Sequence, residues 1–176
     1  MLHIAQLEAG APRSRFQAVS LSDIGRAISE AYVSVAEDNG QIFNSAVADD
    51  VIIWGDHDLV TRLLANLVEN AIRHTPAGTR IDLAVTRTGG CPSLAVVDTG
   101  PGIPASEREK IFQRFYRLDR SRSTAGTGLG LSLVNVIATH HGATLAVHDN
   151  QPGLRIEALF EQYERHSRTR TGAAMQ

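Results

Sequence analysis

Cysteine is almost absent from this 176-residue chain, Cys91 being the only one. That excludes an internal disulfide framework and any multi-cysteine zinc site, and it fits a reducing compartment. Neither sign of charge dominates: the net charge is -2, so the broad basic footprint of a nucleic-acid-binding protein is missing. No apolar run approaches the ~18 residues of a membrane span, and the N-terminus lacks the charged, apolar and small-residue pattern of a signal peptide. Lysine is scarce as well, since Lys110 is the only lysine among 17 basic residues, a bias we read as genomic composition. What is present is an ordinary globular mixture, 43% apolar and 20% charged, in a length that fits one soluble domain with a short appendage and a sizeable core.

Elements alternate along the chain. Leu2, Ile4 and Leu7 lie on a short helical piece ending at Gly10, and a linker follows from Arg13 to Ser20. Ser22 or Asp23 is the expected cap of a helix to about Asn39, with Ile24, Ala27, Ile28, Ala31 and Val35 on its buried face. Two short strands, Gln41 to Ala46 and Val51 to Trp54, precede a long helix that Gly55-Asp56 opens and Thr75-Pro76 stops after His74. Arg80 to Arg87 and Ser93 to Asp98 are strands joined through Thr88-Gly89-Gly90, a hairpin signal. Ser106 is placed to cap a short helix over Glu107 to Phe112, and Arg114 to Thr127 reads as a long arginine-rich loop. A helix from Gly128 to Gly142 and two strands, Ala143 to His148 and Leu154 to Phe160, close the domain before a polar tail. The expected class is α/β: a two-layer sandwich with a mixed, mostly antiparallel sheet and helices on one face. Residues 1–12 form an appendage, 13–162 the domain and 163–176 a disordered tail.

Three places carry chemistry. On the helix ending at His74, residues Val60, Leu64, Leu67, Val68, Ala71 and Ile72 form a core stripe. Opposite them, within about a third of the circumference, lie Arg62, Asn66, Glu69, Asn70 and Arg73. A polar face is usually just solvated, but asparagine is a poor residue for a helix interior, and here two stand four apart. Their amide oxygens are hard, neutral donors suited to Mg²⁺ when phosphates supply the charge, and Glu69 stands beside Asn70 where a carboxylate could polarise a water. The second place is Asp98-Thr99-Gly100-Pro101-Gly102-Ile103, where a carboxylate at a strand end precedes bare backbone that a flat ring can approach. The third is Gly126-Thr127-Gly128-Leu129-Gly130-Leu131, glycine-rich backbone opening a helix and so a candidate anion cradle. It matches neither the dinucleotide fingerprint nor the P-loop.

In this order the three places resemble boxes of the catalytic, ATP-binding domain of bacterial two-component sensor histidine kinases. Leu63 to Pro76 resembles the asparagine box, Asp98 to Gly102 the first glycine box, Ile111 to Arg117 the phenylalanine box, and Gly126 to Leu131 the second glycine box. The resemblance runs from about Leu21 to Phe160 and implies a Bergerat-type ATPase fold. It implies that Asn70 ligates a Mg²⁺ bridging the ATP phosphates, with Asn66 beside it, and that Arg73 and His74 contact phosphate or ribose. It makes Asp98 the acceptor for the adenine amino group in a pocket shaped by Gly100, Gly102 and Ile103, and makes Gly126, Thr127, Gly128, Leu129 and Gly130 the phosphate cradle. The loop from Arg114 to Thr127 would be the ATP lid, anchored by Phe112 and Phe115, two residues equally suited to an ordinary core. Arg117, Arg120 and Arg122 would be solvated or would pair with the γ-phosphate.

No histidine here stands in the family's acceptor box: none of His3, His57, His74, His140, His141, His148 and His166 precedes an acidic residue and an apolar helix as that box requires. Leu2 to Gly10 resembles the end of the dimerisation hairpin. The expectation is therefore a piece that binds Mg²⁺-ATP, alone a monomer, whose acceptor histidine lies on a dimerisation domain of a homodimeric parent anchored in the bacterial inner membrane. The partner to follow is a response regulator receiver domain, and the compartment the cytoplasm. His140-His141 reads as a structural or dipole-compensating pair. Two alternatives are another ATPase of the superfamily, such as an anti-sigma serine kinase, and a non-catalytic nucleotide-sensing or docking module.

Overall fold

The computed structural model describes residues 13–116 and 129–163. Its elements are β1 (Gln17–Ser20), α1 (Leu21–Asp38), β2 (Ile42–Val47), β3 (Ile52–Gly55), α2 (His57–His74), β4 (Arg80–Thr88), β5 (Cys91–Asp98), α3 (Gly130–His140), β6 (Thr144–Asp149) and β7 (Leu154–Leu159). Two short 3₁₀ turns, Ala105–Glu107 and Lys110–Phe112, stand where a short helix is expected; neither has a side-chain cap, and Ser106 lies inside the first rather than ahead of it.

The main sheet has the order β2-β4-β5-β7-β6, with β2 parallel to β4 and every other pair antiparallel. The hairpin between β4 and β5 turns on Gly89 and Gly90, both at positive φ (59° and 86°), the conformation a two-residue primed turn demands. The strands separate two chemistries by their period of two. Ile81, Leu83 and Val85 on β4, Leu94 and Val96 on β5, and Leu154, Ile156 and Ala158 on β7 share the buried face. The other face carries Asn44, Asp82, Arg155 and His148 in one cross-strand row. Helices α1, α2 and α3 cover the apolar face. The second short strand of the sequence reading does not join this sheet: β3 pairs with β1 as a separate ribbon.

Helix α1 begins two or three residues earlier than expected. Ser20, not Ser22 or Asp23, is its cap, accepting from the Asp23 N–H. Ser22 is buried instead, donating to the Ala48 carbonyl and accepting from the Val51 N–H, which ties the helix to the β2–β3 connection. Its buried face also differs: Leu21, Ile24, Gly25, Ile28 and Ala36 are inside, whereas Ala27, Ala31 and Val35 are exposed. At ~100° per residue the observed stripe is rotated roughly 70° from the expected one. The reason is Gly25, whose added Cβ would come within 2.7 Å of Val85 Cγ2. The helix backbone lies against the sheet there, and a glycine gives no apolar signal.

Helix α2 follows its sequence closely. Asp56 caps it, accepting from the N–H groups of Asp58 and Leu59. Val60, Leu63, Leu64, Leu67, Val68 and Ala71 are buried, each large side chain contributing about 1.5–3 kcal/mol of burial. That leaves Asn66, Glu69, Asn70 and Arg73 on the opposite face.

Candidate nucleotide-binding site

Helix α2 packs on both β5 and α3, so the fold brings its asparagine face, the end of β5 and the start of α3 to one side of the domain. Asn66 and Asn70 are half-buried, while Glu69, Arg73 and His74 are exposed. Asn66 Nδ2 donates to the Arg62 carbonyl at 2.7 Å, leaving its Oδ1 turned to α3, where a Cβ on Gly130 would stand 3.3 Å from it. The second glycine box and the asparagine box therefore touch through these two residues. Helix α3 starts at Gly130, not Gly128, with Leu129 at its cap position and no side-chain cap. Among the described residues its first N–H groups thus have neither intrahelical nor capping side-chain acceptors, which is the condition for receiving an anion.

Glu69 is not without a partner. Tyr32 of α1 donates its O–H to Glu69 Oε1 at 2.6 Å, and burial, reinforced by that carboxylate, pushes the phenol up to about 12.

Asp98 ends β5 at 9% exposure. Burial raises its pKa, and the N–H groups of Gly100 and Leu154 counteract this only in part. The Gly100 N–H donates to Asp98 Oδ1 at 2.8 Å. Among the described residues Asp98 has no ion-pair partner, so its charge rests on backbone donors alone. The glycines beside it are close-packing positions. A Cβ on Gly100 would meet Thr75 Cγ2 at 2.5 Å, and one on Gly102, whose φ is +67°, would meet the Gly153 carbonyl at 3.0 Å. Ile103 is half-buried and packs against the core. The β6–β7 turn braces this segment: Asn150 Nδ2 donates to the Asp98 carbonyl at 2.9 Å, and Arg108 links the Ile103 carbonyl to Asp149.

Phe112 packs against the core, but Phe115 does not: it is 65% exposed at a φ of +61°, which removes the ordinary-core reading for that ring. Arg117, Arg120, Arg122, Gly126, Thr127 and Gly128, like residues 1–12 and 164–176, lie outside the described residues.

His140-His141 has a structural explanation. His141 is 7% exposed, its Nδ1 faces the Ile137 carbonyl at 2.8 Å, and its Nε2 accepts from the Asp56 N–H at 3.0 Å. Phe16 stacks on it with centroids 4.7 Å apart. Burial holds the imidazole below its usual pKa, so it is a neutral acceptor and not a charge compensating the helix dipole.

Three residues that brace this segment were given no role in the site by the sequence: Thr75, Asn150 and Gly153. Each acts by touching a segment far away in the chain.

The profile of the histidine kinase-, DNA gyrase B- and HSP90-like ATPase family matches residues 55–164. The sensor-like histidine kinase SenX3 of Mycolicibacterium smegmatis is 39% identical over 136 residues, 74% of this chain and 35% of the relative. The sensor histidine kinase RppB of Synechocystis is 35% identical, over 84% of this chain and 33% of the relative. The chain thus spans about a third of the length of these curated relatives. Among solved structures, the mycobacterial sensor histidine kinase MprB is similar at 27% identity and a TM-score of 0.71, covering 82% of this chain and 97% of that one. Full-length ShkA in complex with AMPPNP is similar at 28% identity and a TM-score of 0.77, covering 92% of this chain and 35% of that one. Among the described residues no helix is long and apolar enough to cross a membrane.

Proposed function

This chain belongs to the histidine kinase-, DNA gyrase B- and HSP90-like ATPase family, and we propose that it is the ATP-binding catalytic domain of a sensor histidine kinase. From that premise we propose that it hands the γ-phosphoryl group of Mg²⁺-ATP to a histidine on a separate dimerisation domain of a homodimeric, membrane-anchored parent. Relay to the receiver domain of a response regulator would follow, on the cytoplasmic side. The observation that supports this best is Asp98: a buried carboxylate with no ion-pair partner among the described residues, beside two glycines, is an acceptor suited to a ligand N–H.

Asp98 takes the adenine amino group, with Ile103 beside it, and Gly100 and Gly102 let this segment pack closely against Thr75 and Gly153. Arg73 and His74, on the last turn of the same helix as Asn70, reach toward ribose and phosphate. The opening N–H groups of α3 receive phosphate oxygens, with Leu129 and Gly130 at the contact and Asn66 behind them. Arg120, Arg122, Gly126, Thr127 and Gly128 enter this reading through the resemblance alone. Half-buried neutral amides, in a site where the ligand brings the negative charge, fit a hard cation that keeps most of its own oxygens, and Asn70 is the residue that would hold it. Bound there, Mg²⁺ supplies neutralisation of the triphosphate's charge. The chain's own contribution is to hold the triphosphate in line with the incoming imidazole lone pair. The bond from the γ-phosphorus to the bridging oxygen breaks as the N–P bond forms, and ADP leaves. Glu69, fixed by Tyr32, is the carboxylate adjoining Asn70 that can polarise the attacking group.

Nucleotide titrations test this. Asn70→Ala should cut ATP affinity in Mg²⁺ and phosphoryl transfer to an added histidine-bearing domain; equal values for variant and parent sequence would refute the metal assignment. Asp98→Asn should cost ATP about tenfold or more, the loss of one hydrogen bond to a charged acceptor of ~1.5–3 kcal/mol. Unchanged affinity for ATP relative to GTP would refute the adenine role.

A further inference from the structure

We propose that Gln41, outside the pocket, is a positioning residue that sets its selectivity for adenine by locking Thr75 against Gly100. The proposal rests on the reading of Asp98 as the base acceptor. Gln41 is 4% exposed and stands between the end of α1 and the start of β2. Its Nε2 donates to the Ile72 carbonyl at 2.9 Å, the Thr75 carbonyl at 2.8 Å and Thr75 Oγ1 at 2.9 Å. Thr75 Oγ1 in turn donates to the Ala71 carbonyl at 2.8 Å. The hydroxyl is therefore engaged both as donor and as acceptor, which fixes χ1, and the methyl goes to the one remaining direction. That direction is Gly100: a Cβ there would lie 2.5 Å from Thr75 Cγ2. Gly100 is the residue whose N–H orients Asp98 Oδ1. A continuous contact chain thus runs from the Gln41 amide through the Thr75 rotamer to the Gly100 N–H and the carboxylate that reads the base.

Stability alone does not account for this glutamine. Its Oε1 is buried with no hydrogen-bond partner among the described residues, and an unpaired buried acceptor is unfavourable. An apolar side chain of the same length removes that penalty while losing the donors, so the two effects oppose each other. Where the side chain does matter uniquely is at Thr75.

The experiment measures binding of Mg²⁺-ATP, Mg²⁺-GTP and inorganic tripolyphosphate to the whole chain. In Gln41→Met the preference for ATP over GTP should fall about fivefold or more, with tripolyphosphate affinity unchanged and the melting midpoint shifted by less than about 4 °C. Thr75→Ser keeps the hydroxyl and removes the methyl, so it should lose the same preference, and the double variant should lose no more than either single one. A Gln41→Met protein that retains the full preference overturns the proposal. So does one that loses affinity for all three probes in proportion, since that is a general structural effect. Should Gln41→Met not fold, Thr75→Ser decides, because it leaves the glutamine donors to both carbonyls in place; an intact preference there overturns the proposal. If the unaltered chain does not prefer ATP to GTP, the Asp98 reading itself falls, and this inference with it.

Discussion

Gly153→Ala should be among the most damaging single-methyl changes in the domain. Gly153 has a φ of +115°, and a Cβ there would lie 1.8 Å from the Asp98 carbonyl oxygen and 2.9 Å from Thr99 Cα. Both are backbone atoms, so neither can rotate away. The cost has two parts: about 1–3 kcal/mol for an L side chain in a region of φ it rarely adopts, and about 1–3 kcal/mol for displacing packed neighbours. Together they amount to roughly 2–6 kcal/mol, a large share of the ~5–15 kcal/mol of a typical domain. Gly78→Ala is the control: its φ is +83°, but nothing lies within 4 Å of the added methyl, so only the conformational part, about 1–3 kcal/mol, applies. Urea unfolding of both variants measures the difference; the midpoint should fall much further for Gly153→Ala at an unchanged slope. Because the displaced atoms belong to Asp98, nucleotide affinity should fall with it. Equal midpoints for the two variants would refute the steric argument, and a destabilised but fully ATP-competent Gly153→Ala would refute the coupling to the site.

Stability should fall as pH drops below about 6.5, because His141 and His140 are held below their usual pKa by burial: the unfolded chain takes up their protons first, so the stabilisation is complete above the unfolded value and lost on acidification. Urea midpoints across that window should flatten in His141→Gln; a flat profile in the unaltered chain would refute it. Tyr32→Phe should cost no more than about 1 kcal/mol, since Glu69 is exposed. In the unaltered chain the phenol should titrate near 12 by absorbance and return toward its ordinary value in Glu69→Gln. Gly55→Ala places a methyl 2.6 Å from His141 Cδ2, so it should lower the melting midpoint by several degrees, and a neutral effect would show that the imidazole can yield.

The parts of this domain that were legible in the sequence are those where function or packing falls on a local period. Helix α2 shows both faces because six buried residues and four polar ones repeat at 3.6, and the Gly89-Gly90 turn shows itself because two adjacent positive-φ positions accept little else. Asp98 and its glycines were legible for the same reason, as consecutive residues. What was not legible depends on partners that the chain order does not supply. The parallel pairing of β2 with β4 and the departure of β3 to β1 are non-local choices among strands of similar composition. The rotation of α1 is set by Gly25, a residue that packs by having no side chain, and a hydrophobic pattern counts it as nothing. Gln41 reaches Thr75 across 34 positions, and Gly153 meets Asp98 from the far turn of β6–β7. A glutamine before a strand and a glycine after a proline are unremarkable in sequence, yet Gln41 bonds Thr75 and Gly153 lies against the Asp98 carbonyl. The candidate nucleotide contacts could therefore be proposed from local motifs and their resemblance, while the residues packed against them could be found only from distances.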